Sequence, residues 1–190
     1  LDQVHDRIGD AIRNVMTTAP DHLVMGMSAE TFWGGVEGNR EFEADLRDRT
    51  GLEVTTGATA TREALELFDA ERVAFVTPYQ PVGDEHVRTF YREAGFEVAD
   101  VEGLRCPSAT AIAAVTEREL VDALRRVDGP DVDAIVQVGT NLSMLELADE
   151  AERWLDKPVV AINAATLWHA LRAIGIDDRF DGFGTLLREH

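Results

Sequence analysis

The alternation of short apolar runs with amphipathic stretches constrains this 190-residue chain more than any other feature. Six runs have the length and apolar character of buried strands: residues 22–27, 53–56, 72–77, 97–101, 133–138 and 158–162. Amphipathic patterns predict helices at residues 39–50, 60–68, 82–94, 117–126, 144–155 and 167–174, and an earlier helix carries Val4, Ile8, Ala11, Ile12 and Val15 at helical spacing. Strands that alternate with helices build parallel sheets, so the sequence predicts an α/β fold made of parallel βα units.

Charge and composition exclude two classes of partner. The chain carries 36 acidic and 18 basic residues, a formal net charge of -18. Such a surface repels a phosphate backbone, so we predict no nucleic-acid partner. No apolar run approaches the roughly 20 residues that a membrane span needs, so we also predict no membrane partner. A hydrophobic content of 45% is enough for a buried core.

Cysteine and histidine usage bears on localisation and on metal binding. Cys106 is the single cysteine, so no intramolecular disulfide can form, which fits a reducing compartment and predicts a cytoplasmic protein. His5, His22, His86 and His190 are scattered without the spacing of metal ligands, and we therefore predict no metal site.

Two of the predicted strands end in similar ways. LVMGMSAE ends the first strand and IVQVGTNL the fifth, and in each a hydroxyl side chain, Ser28 or Thr140, follows a glycine closely. A glycine there lets a ligand approach the backbone, and the next N–H groups point to the carboxyl edge of the sheet, where α/β proteins bind ligands. The alternative is a plain tight turn, since such turns favour Gly, Ser and Thr for capping.

A third strand exit, TPYQPVGDEHV, places Tyr79 at the end of the third strand. A tyrosine there either packs or offers its hydroxyl to a ligand. If the three exits converge, the hydroxyls of Ser28, Tyr79 and Thr140 and nearby backbone N–H groups would bind a carboxylate or stabilise an enolate-like anion. The sequence therefore predicts a carboxylate-binding cleft at this edge of the sheet.

Three segments resemble one enzyme superfamily: MGMSAETFWGG, VTPYQPVGDEHVRTFYREAGFEV and QVGTNLSMLELADEAERWLDKPVVAINAATLWHALRAIGI. Together they resemble the aspartate/glutamate racemase superfamily, and within it the branch of maleate cis-trans isomerase and arylmalonate decarboxylase. The resemblance implies two pseudosymmetric α/β halves, residues 1–76 and 77–176, that close over a small carboxylic acid, with residues 177–190 packing back on the first half. It also implies that the family's first βα unit is missing from this chain.

Catalysis in that family uses one or two cysteines at the paired strand exits. The matching positions here are Gly26 or Met27 at the first exit and Gly139 at the second, so neither cysteine is present. The decarboxylase-like members also lack the first cysteine, and the matching turn supplies hydroxyl and backbone donors to a carboxylate. On that pattern the resemblance implies a set of substrate-binding residues: Gly26, Met27, Ser28, Tyr79, Gly139, Thr140 and Asn141.

Two further positions bear on the predicted site. Cys106 lies in the connection GLRCPSAT, away from both exits, and is interpreted as a small, buried or half-buried residue. Asp84 stands where the family usually has asparagine. Its negative charge would oppose anion binding unless the carboxyl group is protonated or turned outward.

Without these cysteines another group has to move protons. Glu30, two residues after Ser28, is either a general base whose pKa is raised by burial or a carboxylate that stabilises the start of a helix. His169 is a second candidate, with a surface or packing role as the alternative. The predicted catalytic residues are Ser28, Glu30, Tyr79 and Thr140.

These expectations define the predicted function. It is a maleate isomerase-like or racemase-like enzyme that acts on a small carboxylic acid through an enolate or carbanion. It needs no cofactor, because the charge can be stabilised electrostatically. The alternatives are an arylmalonate decarboxylase-like lyase and a non-catalytic carboxylate-binding protein. A structural subunit with an apolar face that another chain covers also stays open, as does a homo-oligomer.

Overall fold

The computed structural model describes residues 2–190, with side chains from Ile8 onward, so Leu1 and the side chains of Val4 and His5 lie outside the described part. The helices are α1 (Asp2–Met16), α2 (Gly35–Thr50), α3 (Gly57–Leu67), α4 (Pro81–Glu93), α5 (Ala109–Ala113), α6 (Glu117–Val127), α7 (Leu145–Leu155), α8 (Ile162–Ala173) and α9 (Thr185–Glu189). The strands are β1 (Leu23–Val24), β2 (Val54–Thr55), β3 (Arg72–Thr77), β4 (Glu97–Gly103), β5 (Ala134–Gln137) and β6 (Val159–Ala161), and a 3-10 helix, Ala29–Phe32, precedes α2. None of the described helices is both long and apolar enough to cross a membrane.

Each predicted strand and helix is present, and β3 has the predicted bounds. The first strand is shorter than predicted, because the chain turns away after Met25 donates its N–H to the Thr55 carbonyl. Helix α8 begins at Ile162, directly after β6 and well before the predicted residue 167. The 3-10 helix, α5 and α9 were not predicted, since each is too short to show a helical repeat.

All strand pairs are parallel, and they form two sheets. In the first sheet β1 pairs with β2, with Val24 opposite Thr55. The second sheet has the order β4-β3-β5-β6. Every residue of β3 after Arg72 is buried, as expected for a parallel strand with helices on both faces. The predicted parallel α/β architecture is confirmed.

The order β1-α2-β2-α3 recurs later in the chain as β5-α7-β6-α8. The matching helices α3 and α8 pack on each other. At their first turns, Gly57 lies so close to α8 that a Cβ there would come 2.7 Å from Ile162 Cδ1. This repeat supports two pseudosymmetric halves. Within the described residues the first sheet has no counterparts of β3 and β4, and the missing first βα unit stays a prediction.

Tyr91 in α4 joins the 3-10 helix, α3 and β3 in the core. Its side chain is fully buried, and its ring centroid lies 4.4 Å from that of Phe75 and 5.9 Å from that of Phe32. The Tyr91 hydroxyl bonds to Thr61 in α3, so its polar atom is satisfied. Burying one large apolar side chain contributes about 1.5–3 kcal/mol, so this contact is a strong link between the 3-10 helix, α3, α4 and β3.

The C-terminal segment is held by α7 and α8. Glu152 accepts hydrogen bonds from the Thr185 N–H and hydroxyl, each at 2.8 Å. Asp149 in the same helix forms an ion pair with Arg188. The His190 ring meets the Phe68 ring edge-on at the end of α3, with centroids 5.7 Å apart. The segment thus contacts elements of both repeats, and the predicted division into residues 1–76, 77–176 and 177–190 stays a prediction.

Candidate active site

Ser28 and Tyr79 form a hydroxyl pair that joins two strand exits. Ser28 Oγ lies 2.9 Å from the Tyr79 hydroxyl oxygen. Ser28 is buried and precedes the 3-10 helix, but its hydroxyl does not cap that helix. Burial raises the pKa of Tyr79 to about 12, so the phenol stays protonated at neutral pH. One of the two hydroxyl protons is used in the hydrogen bond between them, and the other can be donated to a ligand.

The exit of β3 also touches the exit of β5. The two strands are paired, with Val76 opposite Gln137. Beyond them, Gly139 has a φ of 95°, and a Cβ at this residue would lie 2.6 Å from Pro78 Cδ. The exit that carries Tyr79 therefore contacts both the exit that carries Ser28 and the exit that carries Gly139, and the convergence of the three hydroxyls on one cleft stays a prediction.

Backbone N–H groups are available at the two matching exits. Among the residues that the structure describes, the N–H groups of residues 26–28 and of residues 139–141 donate to no backbone oxygen. Residues 26–28 follow β1, and residues 139–141 follow β5, so the two runs occupy equivalent places in the repeat. Runs of free N–H groups form concave sites that favour anions.

Thr140 and Asn141 make no hydrogen bond to the Ser28–Tyr79 pair within the described residues. They line a cavity of about 480 Å³ between α6, α7 and the β5 exit, which Ser28 and Tyr79 do not line. The Thr140 carbonyl accepts the Asn163 side-chain amide at 2.9 Å. The structure thus brings the hydroxyls of Ser28 and Tyr79 together, and Thr140 lines the cavity beside α6 and α7. The catalytic role predicted for Thr140 and the binding role predicted for Asn141 stay predictions.

Glu30 is close enough to Tyr79 for its charge to act on the phenol. It lies in the first turn of the 3-10 helix, and its negative charge helps to raise the pKa of Tyr79. Its carboxylate makes no hydrogen bond or ion pair within the described residues. Glu30 therefore has a carboxylate that a ligand can reach, and its role as a base stays a prediction.

Asp84 is not turned outward, and an arginine pairs with its carboxylate. It is buried, with 6% of its surface exposed. One carboxylate oxygen accepts the Thr77 hydroxyl at 2.5 Å, and the other forms an ion pair with Arg105. The guanidinium of Arg105 offsets the negative charge that would otherwise repel a bound anion.

Arg105 is the residue near the site that the sequence analysis missed. It follows β4, and its Nη1 also donates to the Tyr79 carbonyl oxygen at 2.9 Å. The sequence offers one weak signal. Arg105 comes just after the fourth strand, and a buried aspartate such as Asp84 needs a positively charged partner.

His169 has a packing role in the structure. Its Nδ1 lies 2.8 Å from Thr55 Oγ1, and its Nε2 lies 3.2 Å from Glu63. The same Thr55 oxygen lies 2.7 Å from His22 Nε2. These contacts tie β2, α3 and α8 together, as the packing alternative for His169 expects.

The two positions where the family has cysteine differ in the space around them. Gly26 has no atom within 4 Å of the place where a Cβ would lie, whereas Gly139 has a positive φ and Pro78 in contact. Met27 is 40% exposed and, with Gly26, lines an apolar cavity between α1 and β1. Cys106 is half-buried, and burial raises the pKa of its thiol, which disfavours the reactive thiolate.

The arylmalonate decarboxylase family profile matches residues 1–187. A maleate isomerase of Nocardia farcinica is 31% identical to this chain over 184 residues, which cover 94% of this chain and 73% of that protein. An arylmalonate decarboxylase of Bordetella bronchiseptica is 31% identical over 169 residues, which cover 87% of this chain and 70% of that protein.

A solved structure has the same fold. It is a cysteine-to-serine variant of the Nocardia farcinica maleate cis-trans isomerase with a covalently bound succinylcysteine intermediate. Its TM-score is 0.92 at 26% identity, and the match covers 98% of this chain and 78% of that chain. This chain spans 54% to 73% of the length of the relatives that it matches in sequence. The profile match, the sequence relatives and the fold agree, and the chain belongs to the arylmalonate decarboxylase family.

Proposed function

We propose that the chain is an enzyme that acts on a small carboxylic acid and stabilises an enolate-type anion at the Ser28–Tyr79 pair. The observation that carries this proposal is the pair itself: two protonated hydroxyls 2.9 Å apart, at an edge where three strand exits meet. No charged side chain is in contact with either hydroxyl oxygen among the described residues. A negatively charged ligand at this pair therefore meets a hydroxyl donor directly, with the Glu30 charge nearby but not in hydrogen-bond contact with either hydroxyl.

A carboxylate is the group that fits this arrangement. While the pair stays hydrogen-bonded, one of its two protons is free for a ligand, and we propose that the neighbouring N–H groups of residues 26–28 supply further donors. When a proton or carbon dioxide leaves the carbon next to a carboxylate, the electron pair moves into that carboxylate and increases its negative charge. Donors that are already in place stabilise this charge more than they stabilise the substrate, which lowers the barrier.

Glu30 is the side chain best placed to move the proton. Its carboxylate has no other partner in the described part of the chain, and its charge already acts on Tyr79. As a base it would take a proton from the α-carbon, and as an acid it would return one. Such general acid–base catalysis contributes typically about 10²–10⁴-fold in rate.

The absence of cysteine at both strand exits favours decarboxylation or proton transfer over covalent catalysis. The Nocardia farcinica structure contains a succinylcysteine, so in that relative a cysteine is bonded to the substrate. Glycine stands at both matching exits here, and the thiol of Cys106 has a raised pKa. Loss of carbon dioxide from a malonate needs the carboxylate site and one proton, and no nucleophile.

Cis-trans isomerisation is the second candidate, favoured by the likeness to a maleate isomerase. Without a cysteine, it would have to proceed through a carbanion stabilised by the same donors. A binding protein without turnover is the remaining alternative. It predicts saturable carboxylate binding that Ser28 and Tyr79 control and that leaves the ligand unchanged.

Calorimetric titration with malonate, phenylmalonate and maleate tests the site. Removing the hydroxyl in Tyr79→Phe or in Ser28→Ala is expected to weaken binding of the preferred acid at least tenfold, in line with about 1.5–3 kcal/mol for a hydrogen bond to a charged group. Tyr91→Phe is the matched control, because it removes the other phenol hydroxyl from the core. Wild-type affinity in a Ser28→Ala/Tyr79→Phe double variant would rule out this site.

A further inference from the structure

The connection after β4 holds the exit of β3 by backbone hydrogen bonds. The Leu104 N–H donates to the Thr77 carbonyl at 2.8 Å, and the Cys106 N–H donates to the Pro78 carbonyl at 3.0 Å. The side-chain amide of Gln80 donates to the Cys106 carbonyl at 3.2 Å. A residue of this connection can therefore control Tyr79, although it lies far from Tyr79 in the sequence.

Arg105 occupies the middle of this connection. Its Nη1 donates to the Tyr79 carbonyl at 2.9 Å and also bonds to Asp84 Oδ2. Its φ is 57°, in the left-handed region, which is unfavourable for a residue with a side chain. A residue keeps such a conformation only where its surroundings impose it. The contacts with Tyr79 and Asp84 are the interactions of its side chain that offset this cost.

Asp84 extends the same network to the N–H group of Tyr79. Its Oδ1 accepts the Thr77 hydroxyl at 2.5 Å, and the Thr77 oxygen in turn accepts the Tyr79 N–H at 3.1 Å. Arg105 holds the Tyr79 carbonyl, so both polar backbone groups of Tyr79 belong to one network. The direction in which the Tyr79 side chain leaves the backbone is thereby fixed.

The ion pair depends on a missing side chain at Gly103. A Cβ at Gly103 would overlap both the Arg105 guanidinium and the Asp84 carboxylate. Glycine at the last position of β4 therefore leaves room for the ion pair that holds Tyr79.

We propose that Arg105 is a positioning residue, which places the Tyr79 hydroxyl beside Ser28 by holding the Tyr79 carbonyl and the buried Asp84. Its effect on catalysis rests on the proposed function, since Tyr79 has to bind the substrate for its position to matter. Arg105 acts through Tyr79 and does not need to touch the substrate. It also keeps the Asp84 carboxylate paired, so that this charge does not repel a bound acid.

Tyrosine NMR separates this role from a general effect on folding. The chain has two tyrosines, so protein labelled with ¹³Cζ-tyrosine gives one signal for Tyr79 and one for Tyr91. In Arg105→Gln we expect the Tyr79 signal to shift or broaden, because its hydrogen bond to Ser28 is no longer fixed. The Tyr91 signal should stay in place, since Tyr91 is fully buried and bonded to Thr61. Malonate affinity should fall at least tenfold.

Two further variants serve as controls. Arg126→Gln removes another ion pair beside β4, the 2.9 Å contact with Glu102, without touching the β3 exit. It is expected to leave both tyrosine signals and malonate affinity unchanged. Arg105→Lys keeps the charge but loses the planar fork of the guanidinium. It should recover part of the malonate affinity and part of the Tyr79 shift.

Three results would overturn the role of Arg105. The first is a Tyr79 signal and a malonate affinity in Arg105→Gln that match the wild type. The second is an equal shift of both tyrosine signals, which would mean a general loosening of the core. The third is Arg126→Gln causing the same loss as Arg105→Gln. If wild-type protein binds no carboxylate, the proposed function fails, and the Tyr79 signal alone still decides the role of Arg105. If Arg105→Gln does not fold, Arg105→Lys supplies the same two measurements.

Discussion

Gly26 and Gly139 occupy equivalent places after β1 and β5, but they differ in backbone conformation and in the space around them. Gly139 is required by its backbone, since its φ is 95° and Pro78 fills the space where a side chain would lie. Gly26 has neither constraint, and the space beside it is open. The sequence shows two similar glycine turns, but only the structure shows that one of them can accept a side chain.

Replacing these glycines by cysteine should therefore destabilise the protein to very different extents. Gly26→Cys is expected to change the free energy of unfolding by less than about 1 kcal/mol, because the site is open and solvent-exposed. Gly139→Cys should lower it by about 2–4 kcal/mol, from backbone strain and overpacking together. Urea unfolding of the two variants measures both, and each serves as the control for the other. Equal losses would contradict the difference in their surroundings.

Tyr79 predicts how stability changes at alkaline pH. Burial raises its pKa from 10.0 to about 12 in the folded protein, and it raises the pKa of Tyr91 in the same direction. The folded state then keeps protons that the unfolded chain releases, so stability is full below about pH 10 and falls as the pH rises towards about 12. Urea midpoints between about pH 8 and 11.5 should show this fall, and Tyr79→Phe should reduce its slope. A slope that Tyr79→Phe leaves unchanged would contradict the raised pKa.

A hydrogen-bonded chain of side chains links β2, α3 and α8 to His22, the residue before β1. His169 Nε2 lies 3.2 Å from Glu63, and its Nδ1 lies 2.8 Å from the Thr55 hydroxyl oxygen. The same Thr55 oxygen lies 2.7 Å from His22 Nε2. The chain therefore connects His22 to Glu63 through Thr55 and His169.

Acid should therefore weaken the protein through this chain. Burial, and next the nearby His169, lower the pKa of His22 below 6.5, while the hydrogen bond from His169 lowers the pKa of Glu63 below 4.5. In the unfolded chain both groups take up protons more readily, so their contribution is present above about pH 6.5 and is lost as the pH falls. Urea midpoints measured at about pH 8 and pH 5 test this. The midpoint of His22→Gln should fall less between these two values than that of His86→Gln, which keeps His22. Identical losses would contradict the account.

Sequence patterns predicted the elements well and the contacts between distant elements poorly. Every strand of the two sheets was found, because parallel strands read as continuous apolar runs. The sequence also singled out Ser28 and Tyr79, whose hydroxyls lie 2.9 Å apart, because each stands at a strand exit. Arg105 was missed, since its partner carbonyl at Tyr79 comes 26 residues earlier and no local pattern connects them. The shared site predicted for Thr140 and Ser28 stays a prediction, because a common sheet edge does not fix which cavity a side chain lines.

The charge of the whole molecule predicts a dependence on salt. A net charge of -18 makes the folded surface repel itself, and its many arginine–carboxylate pairs offset this only locally. Added salt shortens the screening length from about 10 Å at 0.1 M to about 3 Å at 1 M. The thermal midpoint should therefore rise by several degrees, on the order of 5 °C, between these concentrations of KCl. A midpoint that falls would mean that the surface ion pairs outweigh the net repulsion.

The whole fold places the Ser28–Tyr79 pair between the two repeats, and its chemistry is the central claim. The most direct measurement is proton NMR in D2O of the protein with aryl- and alkylmalonates, maleate, aspartate and glutamate. We predict that at least one acid loses carbon dioxide, isomerises or exchanges its α-proton for deuterium, and that Tyr79→Phe and Glu30→Gln each slow this reaction at least a hundredfold. An acid that binds to the wild-type protein but stays chemically unchanged across the panel would contradict the claim and identify a carboxylate-binding protein without turnover.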